Sequence, residues 1–188
     1  MRIITGKYKG RVLAALSGLQ TRPATDRVKT TIFNMLQNRI RIFGIDVLDL
    51  FAGTGSLGFE ALSRGAKHVV FVDDQEQALD VIEQNAGMVE CIEQCAIMRD
   101  DALNFISRWR EQFDLIFADP PYAYERITDI PRSIFEKGML RPDGYLIIEH
   151  SKHTKFEESP LYTMQVQKEF GNTRVSFFIH PNGKGDEL

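Results

Sequence analysis

The run Asp119-Pro120-Pro121-Tyr122 combines a carboxylate, two rigid backbone units and an aromatic ring in four consecutive residues. The exocyclic amine of a nucleic-acid base is a poor nucleophile because its lone pair is delocalised into the ring. The Asp119 carboxylate and the Pro120 carbonyl can accept both N–H bonds of such an amine and draw it towards tetrahedral geometry. Proline fixes φ and has no N–H, so the two prolines hold these acceptors stiffly, and Tyr122 offers a face on which an extruded base can stack. The run therefore predicts a site that positions a base amine.

A glycine loop lies upstream of this run. Gly53, Gly55 and Gly58 fit the pattern G-x-G-x-x-G, follow a predicted strand and open a predicted helix, so backbone N–H groups are available to a ligand. Asp73 ends the next predicted strand, where its carboxylate can accept hydrogen bonds from ribose hydroxyls. This combination is typical of two ligand classes, a dinucleotide and S-adenosylmethionine.

The position of Asp49 favours the second of these ligands. Asp49 comes just before the glycine loop, where a carboxylate suits a cationic ligand better than a diphosphate, and S-adenosylmethionine carries an ammonium and a sulfonium. Asp101 follows the third predicted strand and can reach an adenine edge, although a surface or N-cap role is equally ordinary for it. The predicted cofactor contacts are Asp49, Phe51, Ala52, Gly53, Thr54, Gly55, Asp73, Asp74, Asp101 and Ala102.

The elements that must position these residues alternate between strand and helix from Asp46 onwards. Apolar runs predict strands at 46–51, 68–72, 95–98, 115–118 and, after a turn at 142–144, 145–149, and helical spacing predicts the helices between the first four. Alternating residues on both sides of Gly171-Asn172 predict a final antiparallel hairpin. This order predicts a doubly wound α/β fold whose parallel sheet ends in that hairpin.

The first 41 residues differ from the remainder in charge. They carry nine basic side chains and one acidic one, net +8, whereas the remaining 147 residues carry net −11. A β-hairpin over 2–13 and a helix from Asp26 to about Arg39, capped by Thr25 or Asp26, are predicted there. Such a basic segment is typical of a surface that faces a polyanion, and solvated surface charge is the alternative. The chain is accordingly divided into a basic extension at 1–41, a ligand-binding domain at 42–180 and a polar tail at 181–188.

Composition excludes several classes of protein. The chain has 188 residues, of which 43% are hydrophobic and 26% charged, which is typical of one globular unit. Two cysteines exclude a disulfide framework, and His150 and His153 lack a third ligand for a metal. Neither a signal peptide nor an apolar run of about 18 residues is present, so we expect a soluble cytoplasmic protein without a membrane-bound part.

The two motifs together resemble those of a known enzyme group. Asp119-Pro120-Pro121-Tyr122 with the run 49–55 is similar to the amino-methyltransferases that use S-adenosylmethionine. The N-terminal runs 2–6, 9–11 and 21–29, followed by 32–36 and 57–66, resemble the bacterial small-subunit ribosomal RNA guanine-N2 methyltransferases, the RsmD family. The resemblance covers about residues 2–180, and its N-terminal runs are more specific than the glycine loop.

This resemblance implies a Rossmann-like class I methyltransferase fold with a seven-stranded sheet and S-adenosylmethionine as cofactor. It implies methyl transfer to N2 of a guanine in 16S ribosomal RNA, within the assembled or assembling 30S particle and without an obligatory protein partner. Catalysis falls to Asp119, Pro120, Pro121 and Tyr122. Substrate binding falls to Arg11, Arg22, Pro23, Asp26, Arg27 and Lys29. One departure is visible: Gln75 replaces an acid that is common in the family, and Asp73 is expected to keep the ribose contact.

Three alternatives stay open from the residues alone. The chemistry of Asp119-Pro120-Pro121-Tyr122 also serves adenine N6, or guanine N2 in another nucleic acid. Gly53, Gly55 and Gly58 also fit a nicotinamide-dependent oxidoreductase, which would be stabilised by NAD and not by S-adenosylhomocysteine. A non-catalytic RNA-binding assembly factor would keep its function when Asp119 is replaced by alanine.

Overall fold

A seven-stranded sheet forms the centre of the protein. The computed structural model describes residues 1–16, 23–181 and 183, with the backbone alone at 23–25. The strands are β1 (Asp46–Leu50), β2 (His68–Asp73), β3 (Cys95–Arg99), β4 (Phe113–Ala118), β5 (Leu140–Ser151), β6 (Thr163–Phe170) and β7 (Thr173–Ile179). They are arranged in the order β3-β2-β1-β4-β5-β7-β6. The first five strands pair in parallel, and β7 is antiparallel to both β5 and β6, which confirms the predicted fold class.

The strand order reverses between β1 and β4. From β1 the chain moves outwards to β2 and β3, and it then returns to place β4 on the other side of β1. Ligands of open α/β sheets bind outside the carboxyl ends of the strands at such a switch point. Both predicted ligand motifs follow these two strands, because β1 ends at Leu50 and β4 ends at Ala118, and these two residues are register partners.

Helices cover the two faces of the sheet. They are α1 (Pro23–Gln37), α2 (Ser56–Ser63), α3 (Glu76–Met88), α4 (Ala102–Arg108) and α5 (Asp129–Glu136). The predicted start of α1 was wrong, because the helix begins at Pro23 and Thr25 and Asp26 therefore lie in its first turn. Proline is tolerated there because the first turn has no intrahelical partner for its missing N–H. The α5 helix was not predicted, and it buries Ile130, Ile134 and Phe135.

The β5 strand extends beyond its predicted limits at both ends. It begins at Leu140 and ends at Ser151, whereas the sequence indicated only 145–149. The predicted turn at 142–144 is an excursion within the strand, since the β4–β5 register jumps from Phe113↔Leu140 to Leu115↔Tyr145. The extra carboxyl-terminal length brings β5 past the end of β4, beside the predicted catalytic run.

The N-terminal extension and the sheet share one apolar core. Ile3, Leu13 and Phe33 are buried in the same cluster as Phe59 and Phe117. The predicted hairpin is a single antiparallel bridge between Arg2 and Val12. A second apolar cluster fills the opposite face of the sheet, beneath α4 and α5. In the described residues no helix is both long and apolar enough to span a membrane. Most of the tail at 181–188 lies outside the described residues.

Buried polar groups attach the extension to α2. The Glu60 carboxylate is fully buried and accepts hydrogen bonds from the backbone N–H groups of Ile4 (2.7 Å) and Thr5 (3.1 Å), while Arg64 pairs with it at 2.9 Å. The Ser63 hydroxyl accepts a bond from the Tyr8 backbone N–H at 2.9 Å. These bonds satisfy main-chain groups that a short irregular segment cannot pair by itself.

We expect Glu60→Ala to lower the free energy of unfolding by about 3 kcal/mol, because it leaves two backbone donors and a guanidinium without their buried acceptor. The free energy is obtained from urea denaturation at neutral pH. Glu83→Ala is the matched control, since Glu83 is exposed on α3, and its effect should stay within about 0.5 kcal/mol. Equal stability of the two variants would contradict this account of how the extension is held.

Candidate active site

The glycine loop turns sharply out of β1 into α2. Phe51, Gly53 and Gly55 all have positive φ, at 58°, 55° and 76°. Phe51 is the unusual one of the three, since residues other than glycine rarely adopt a positive φ and do so mainly where the surrounding structure requires it. A Cβ added at Gly58 would lie 2.2 Å from the Phe71 ring, so the helix can approach the sheet this closely only with glycine there.

Two carboxylates fix the backbone of the loop. Asp49 Oδ2 accepts the Gly58 N–H at 2.8 Å, and Asp73 Oδ2 accepts the Gly53 N–H at 2.8 Å. Asp73 Oδ1 also accepts the Gln75 N–H at 3.0 Å. Asp73 therefore stabilises the conformation of the glycine loop. It is also the last residue of β2, where the sequence predicted a ribose contact.

The remaining predicted cofactor residues lie in or near the glycine loop. Ala52 is buried, Asp74 is exposed, and the Thr54 hydroxyl contacts the Met1 sulfur at 3.6 Å. Asp101 is the N-cap of α4, where its Oδ1 accepts the Asn104 N–H at 3.0 Å, and the adjoining Ala102 is buried. The structure thus places these residues along the carboxyl ends of β1, β2 and β3, and their contacts with a cofactor stay predictions.

The predicted catalytic run lies directly beside the loop. The Asp119 N–H donates to the Leu50 carbonyl at 3.4 Å, which links the ends of β4 and β1. Tyr122 is 62% exposed, so its ring is available for stacking, while its hydroxyl is 2.6 Å from the Thr173 hydroxyl on β7. Pro120 is buried and Pro121 is exposed. The run is therefore anchored at both ends, by β1 on one side and by β7 on the other.

Carboxyl groups cluster at this edge of the sheet. Burial raises the pKa of Asp49 well above its usual range, and the charges of Asp119 and Asp73 add to the shift. Part of Asp119 is open to solvent, but the surrounding protein displaces water from its carboxyl and raises its pKa to about 6. Burial and then the charge of Asp119 raise the pKa of Glu149 to about 8. Desolvated carboxylates of this kind suit a cationic ligand, which would stabilise their charged forms.

The predicted substrate residues are distributed differently. Arg11, Asp26 and Arg27 are exposed. Lys29 is buried, and its ammonium donates to the Arg2 carbonyl at 2.8 Å and to the Ser56 hydroxyl at 3.2 Å, which ties α1 to the start of α2. Burial lowers the pKa of Lys29. Arg22 and the side chain of Pro23 lie outside the described residues.

Sequence reasoning missed three polar residues at this site. Glu149 lies beside Asp119, Thr173 holds the Tyr122 hydroxyl, and the buried Asn85 donates to the Thr54 carbonyl at 3.1 Å. Asn85 also accepts the Ala14 N–H at 2.7 Å, so it links the N-terminal extension to the glycine loop. Only Glu149 carried a usable signal, namely a charged residue at the carboxyl end of an otherwise apolar predicted strand.

Comparison with known proteins identifies the class. The family described as "Conserved hypothetical protein 95" matches residues 1–179. Ribosomal RNA small subunit methyltransferase D of Haemophilus influenzae is 34% identical over 185 residues, covering 97% of this chain and 94% of that protein. A Bacillus subtilis protein, provisionally named rRNA methyltransferase YlbH, is 38% identical over 182 residues, covering 95% and 98%. A solved Escherichia coli structure, provisionally titled methyltransferase yhhF, has a TM-score of 0.84 at 26% identity and covers 96% and 97%.

The fold and the arrangement at the β1–β4 switch point define a Rossmann-like methyltransferase of class I. Because the protein is a methyltransferase, the alternative of a nicotinamide-dependent oxidoreductase is excluded. The match over residues 1–179 includes the N-terminal extension as well as the sheet. The chain belongs to the RsmD family of methyltransferases.

Proposed function

We propose that the protein transfers a methyl group from S-adenosylmethionine to the exocyclic N2 of a guanine in small-subunit (16S) ribosomal RNA. The observation that carries this proposal is the register Leu50↔Ala118, because it brings the end of the glycine loop's strand beside Asp119. A methyl donor held by the loop and an amine held by Asp119 then meet at one edge of the sheet. Relatives that are 34% and 28% identical to this chain are named as small-subunit ribosomal RNA methyltransferases.

The residues of the loop fit S-adenosylmethionine. Asp49 is a desolvated carboxyl that would pair with the cationic amino-acid portion. Asp73, at the end of β2, would accept hydrogen bonds from the ribose, and Asp101, the N-cap of α4, would contact the adenine. Asp74 and the 51–55 loop complete the proposed cofactor site. When bound, this cofactor supplies a methyl group on a positively charged sulfur, which is activated for direct displacement.

The reacting amine is held by the catalytic run. A guanine leaves its stack and lies against the Tyr122 ring, whose position is fixed by Thr173. The Asp119 carboxylate and the Pro120 carbonyl accept hydrogen bonds from the two N2–H groups and draw the nitrogen towards tetrahedral geometry. Its lone pair is then less delocalised into the purine ring and is available for attack on the methyl group. Positioning of this kind, in a site from which water is displaced, supplies most of the catalytic effect. Asp119 is also the nearest acceptor for the proton that the methylated amine loses.

The exposed charges of the extension support an RNA partner. Arg11, Arg27, Lys7 and Lys9 are exposed, whereas Lys29 is internal. We assign these exposed cations to phosphate contacts. The basic extension at 1–41 then differs in function from the ligand-binding domain at 42–180, although the two share one apolar core. The proposed substrate is the RNA within an assembled or assembling 30S particle in the cytoplasm, without an obligatory protein partner.

Methyl transfer should depend on pH through Asp119. The pKa of Asp119 is raised to about 6, and its ionised form is both the stronger hydrogen-bond acceptor and the form that can take up the proton released by the methylated amine. We therefore expect the single-turnover rate to be high above neutral pH and to fall as the pH is lowered through about 6. Because Asp119 and Glu149 influence each other's ionisation, the two carboxyls titrate as a pair and broaden this limb. A rate that is constant from pH 5 to 8, with the fold verified by circular dichroism, would contradict this role.

One experiment tests the proposed function directly. The protein is incubated with labelled S-adenosylmethionine and small ribosomal subunits from cells that lack their own copy of the enzyme, and the digested nucleosides are separated. Label in N2-methylguanosine that disappears with Asp119→Ala is the expected result. Label in N6-methyladenosine would move the substrate to adenine. Absence of label, together with no stabilisation by S-adenosylhomocysteine, would overturn the assignment of the cofactor.

A further inference from the structure

A second carboxyl group lies beside Asp119 at the site of the reacting amine. Ala118 and Ile148 are register partners of the parallel strands β4 and β5, so the next residues, Asp119 and Glu149, are neighbours. Side chains alternate along a strand, and Glu149 lies on the same face as Ile147, whose register partner is Phe117. Burial and then the charge of Asp119 raise the pKa of Glu149, in keeping with this placement.

Within the described part of the chain, the Asp119 and Glu149 carboxyls accept no hydrogen bond from the protein. Among the residues that the structure describes, no N–H, O–H or cationic group donates to either of them, although Glu149 is half-buried. Its partner on β7 is the apolar Val175. Asp119 is exposed and Glu149 is half-buried, so both carboxyls are open to an incoming ligand, and N–H groups of that ligand would replace the water that it displaces. Two adjacent acceptors therefore favour a ligand with two adjacent donors.

Guanine presents such a pair of donors on its Watson–Crick edge. Its N2 amine is adjacent to N1–H, whereas adenine presents a single amine next to an N1 lone pair. Glu149 lies on the β5 side of Asp119, so a base whose N2 amine is held by Asp119 and whose ring is stacked on Tyr122 can turn its N1 position towards Glu149. The Tyr122 hydroxyl bonds Thr173, and Thr173 pairs with Ser151, two residues beyond Glu149 on the same face of β5. Tyr122, Asp119 and Glu149 thus border one crevice.

We propose that Glu149 accepts the N1–H of the guanine whose N2 amine is held by Asp119, and that it makes the site selective for guanine over adenine. This inference rests on the proposed function and deepens it by naming a specificity-determining residue. A bound N1–H stabilises the ionised form of Glu149, and that form repels the N1 lone pair of adenine. Because the pKa of Glu149 is raised to about 8, we expect the selectivity to be greatest above that pH. A site built around a substrate N–H rejects analogues that lack it far more strongly than an apolar pocket does.

The test uses 2-aminopurine, which keeps the N2 amine but has a lone pair at N1. Small subunits are reconstituted with 16S RNA that carries either guanine or 2-aminopurine at the methylated position, and single-turnover rates are compared at about pH 8.5, where the ionised form of Glu149 predominates. For the unaltered protein we expect guanine to react about 100-fold faster. For Glu149→Gln we expect this preference to fall below about tenfold, because the amide can also donate a hydrogen bond to an N1 lone pair.

The outcomes separate this inference from the proposed function. The inference is overturned if the unaltered protein uses both bases equally well. It is also overturned if the preference of Glu149→Gln for guanine stays within about threefold of the preference of the unaltered protein, because Glu149 then does not recognise N1. If the unaltered protein produces no N2-methylguanosine, the proposed function itself fails. Thermal stabilisation of Glu149→Gln by S-adenosylhomocysteine verifies that the variant is folded. Glu158→Gln is the matched control, since Glu158 is exposed, and it should keep the full preference.

Discussion

Replacement of Asp119 by alanine is expected to lower the rate of methyl transfer by about 1,000-fold, with cofactor affinity nearly unchanged. The amine nitrogen becomes nucleophilic only when its N–H bonds are held out of the plane of conjugation, and alanine removes one of the two acceptors. The backbone of the run should stay in place, because the Asp119 N–H bonds Leu50 and the Tyr122 hydroxyl bonds Thr173. The loss should therefore appear in the chemical step.

The measurement is a single-turnover rate with saturating S-adenosylmethionine, accompanied by calorimetric titration of the cofactor. Asp119→Asn should fall between the unaltered protein and Asp119→Ala, since an amide oxygen still accepts one N–H bond but carries no charge. Asp114→Asn is a matched control at the opposite end of β4, where Asp114 accepts the Asp46 N–H at 2.9 Å. A rate for Asp119→Ala within about tenfold of the unaltered protein would rule out the proposed role.

Replacement of Asp49 by asparagine is expected to weaken binding of S-adenosylmethionine by about 100-fold without destabilising the protein. Asparagine keeps an acceptor for the Gly58 N–H, so the loop should hold its shape. It removes the buried negative charge that suits the cationic ligand. Because burial raises the pKa of Asp49, the folded state disfavours its ionised form, and the stability of the unaltered protein should decline as the pH rises through the range in which Asp49 ionises. An asparagine side chain does not ionise, so the variant should be as stable as the unaltered protein, or more stable, at pH 8.

Calorimetric titration and urea denaturation at pH 8 measure the two effects separately. Asp46→Asn is the control at the other end of β1, where Asp46 pairs with Arg141 at 3.0 Å, and it should leave cofactor affinity unchanged. Unaltered affinity of Asp49→Asn would show that Asp49 serves only to hold Gly58. A large loss of stability would show instead that its charge is needed for folding, contrary to the direction of its pKa shift.

Local patterns in the sequence predicted most of the sheet. Strands β1 to β4 are short apolar runs bounded by glycines and charged residues, and the predicted limits of each differ from the structure by two residues or fewer. The hairpin of β6 and β7 was predicted from the alternation of residue types around Gly171-Asn172. The alternation did not predict burial, because β7 lies between β5 and β6 and is buried along most of its length, whereas β6 is mostly exposed. The α5 helix was missed since it is short and contains Pro131, which is compatible with helix only in the first turn, where the structure has it.

Local sequence was enough to predict the chemistry at the ends of β1 and β4. Asp49, the glycines and Asp119-Pro120-Pro121-Tyr122 are contiguous or nearly contiguous with the strands that carry them, so strand direction alone places them at one edge of the sheet. The tertiary structure decided which distant groups complete that edge. The β4–β5 register places Glu149 beside Asp119, and the final hairpin places Thr173 beside Tyr122. Lys29 is buried and donates hydrogen bonds to Arg2 and Ser56. Register and burial depend on how elements far apart in the chain pack together, and the period of a single strand or helix does not contain that information.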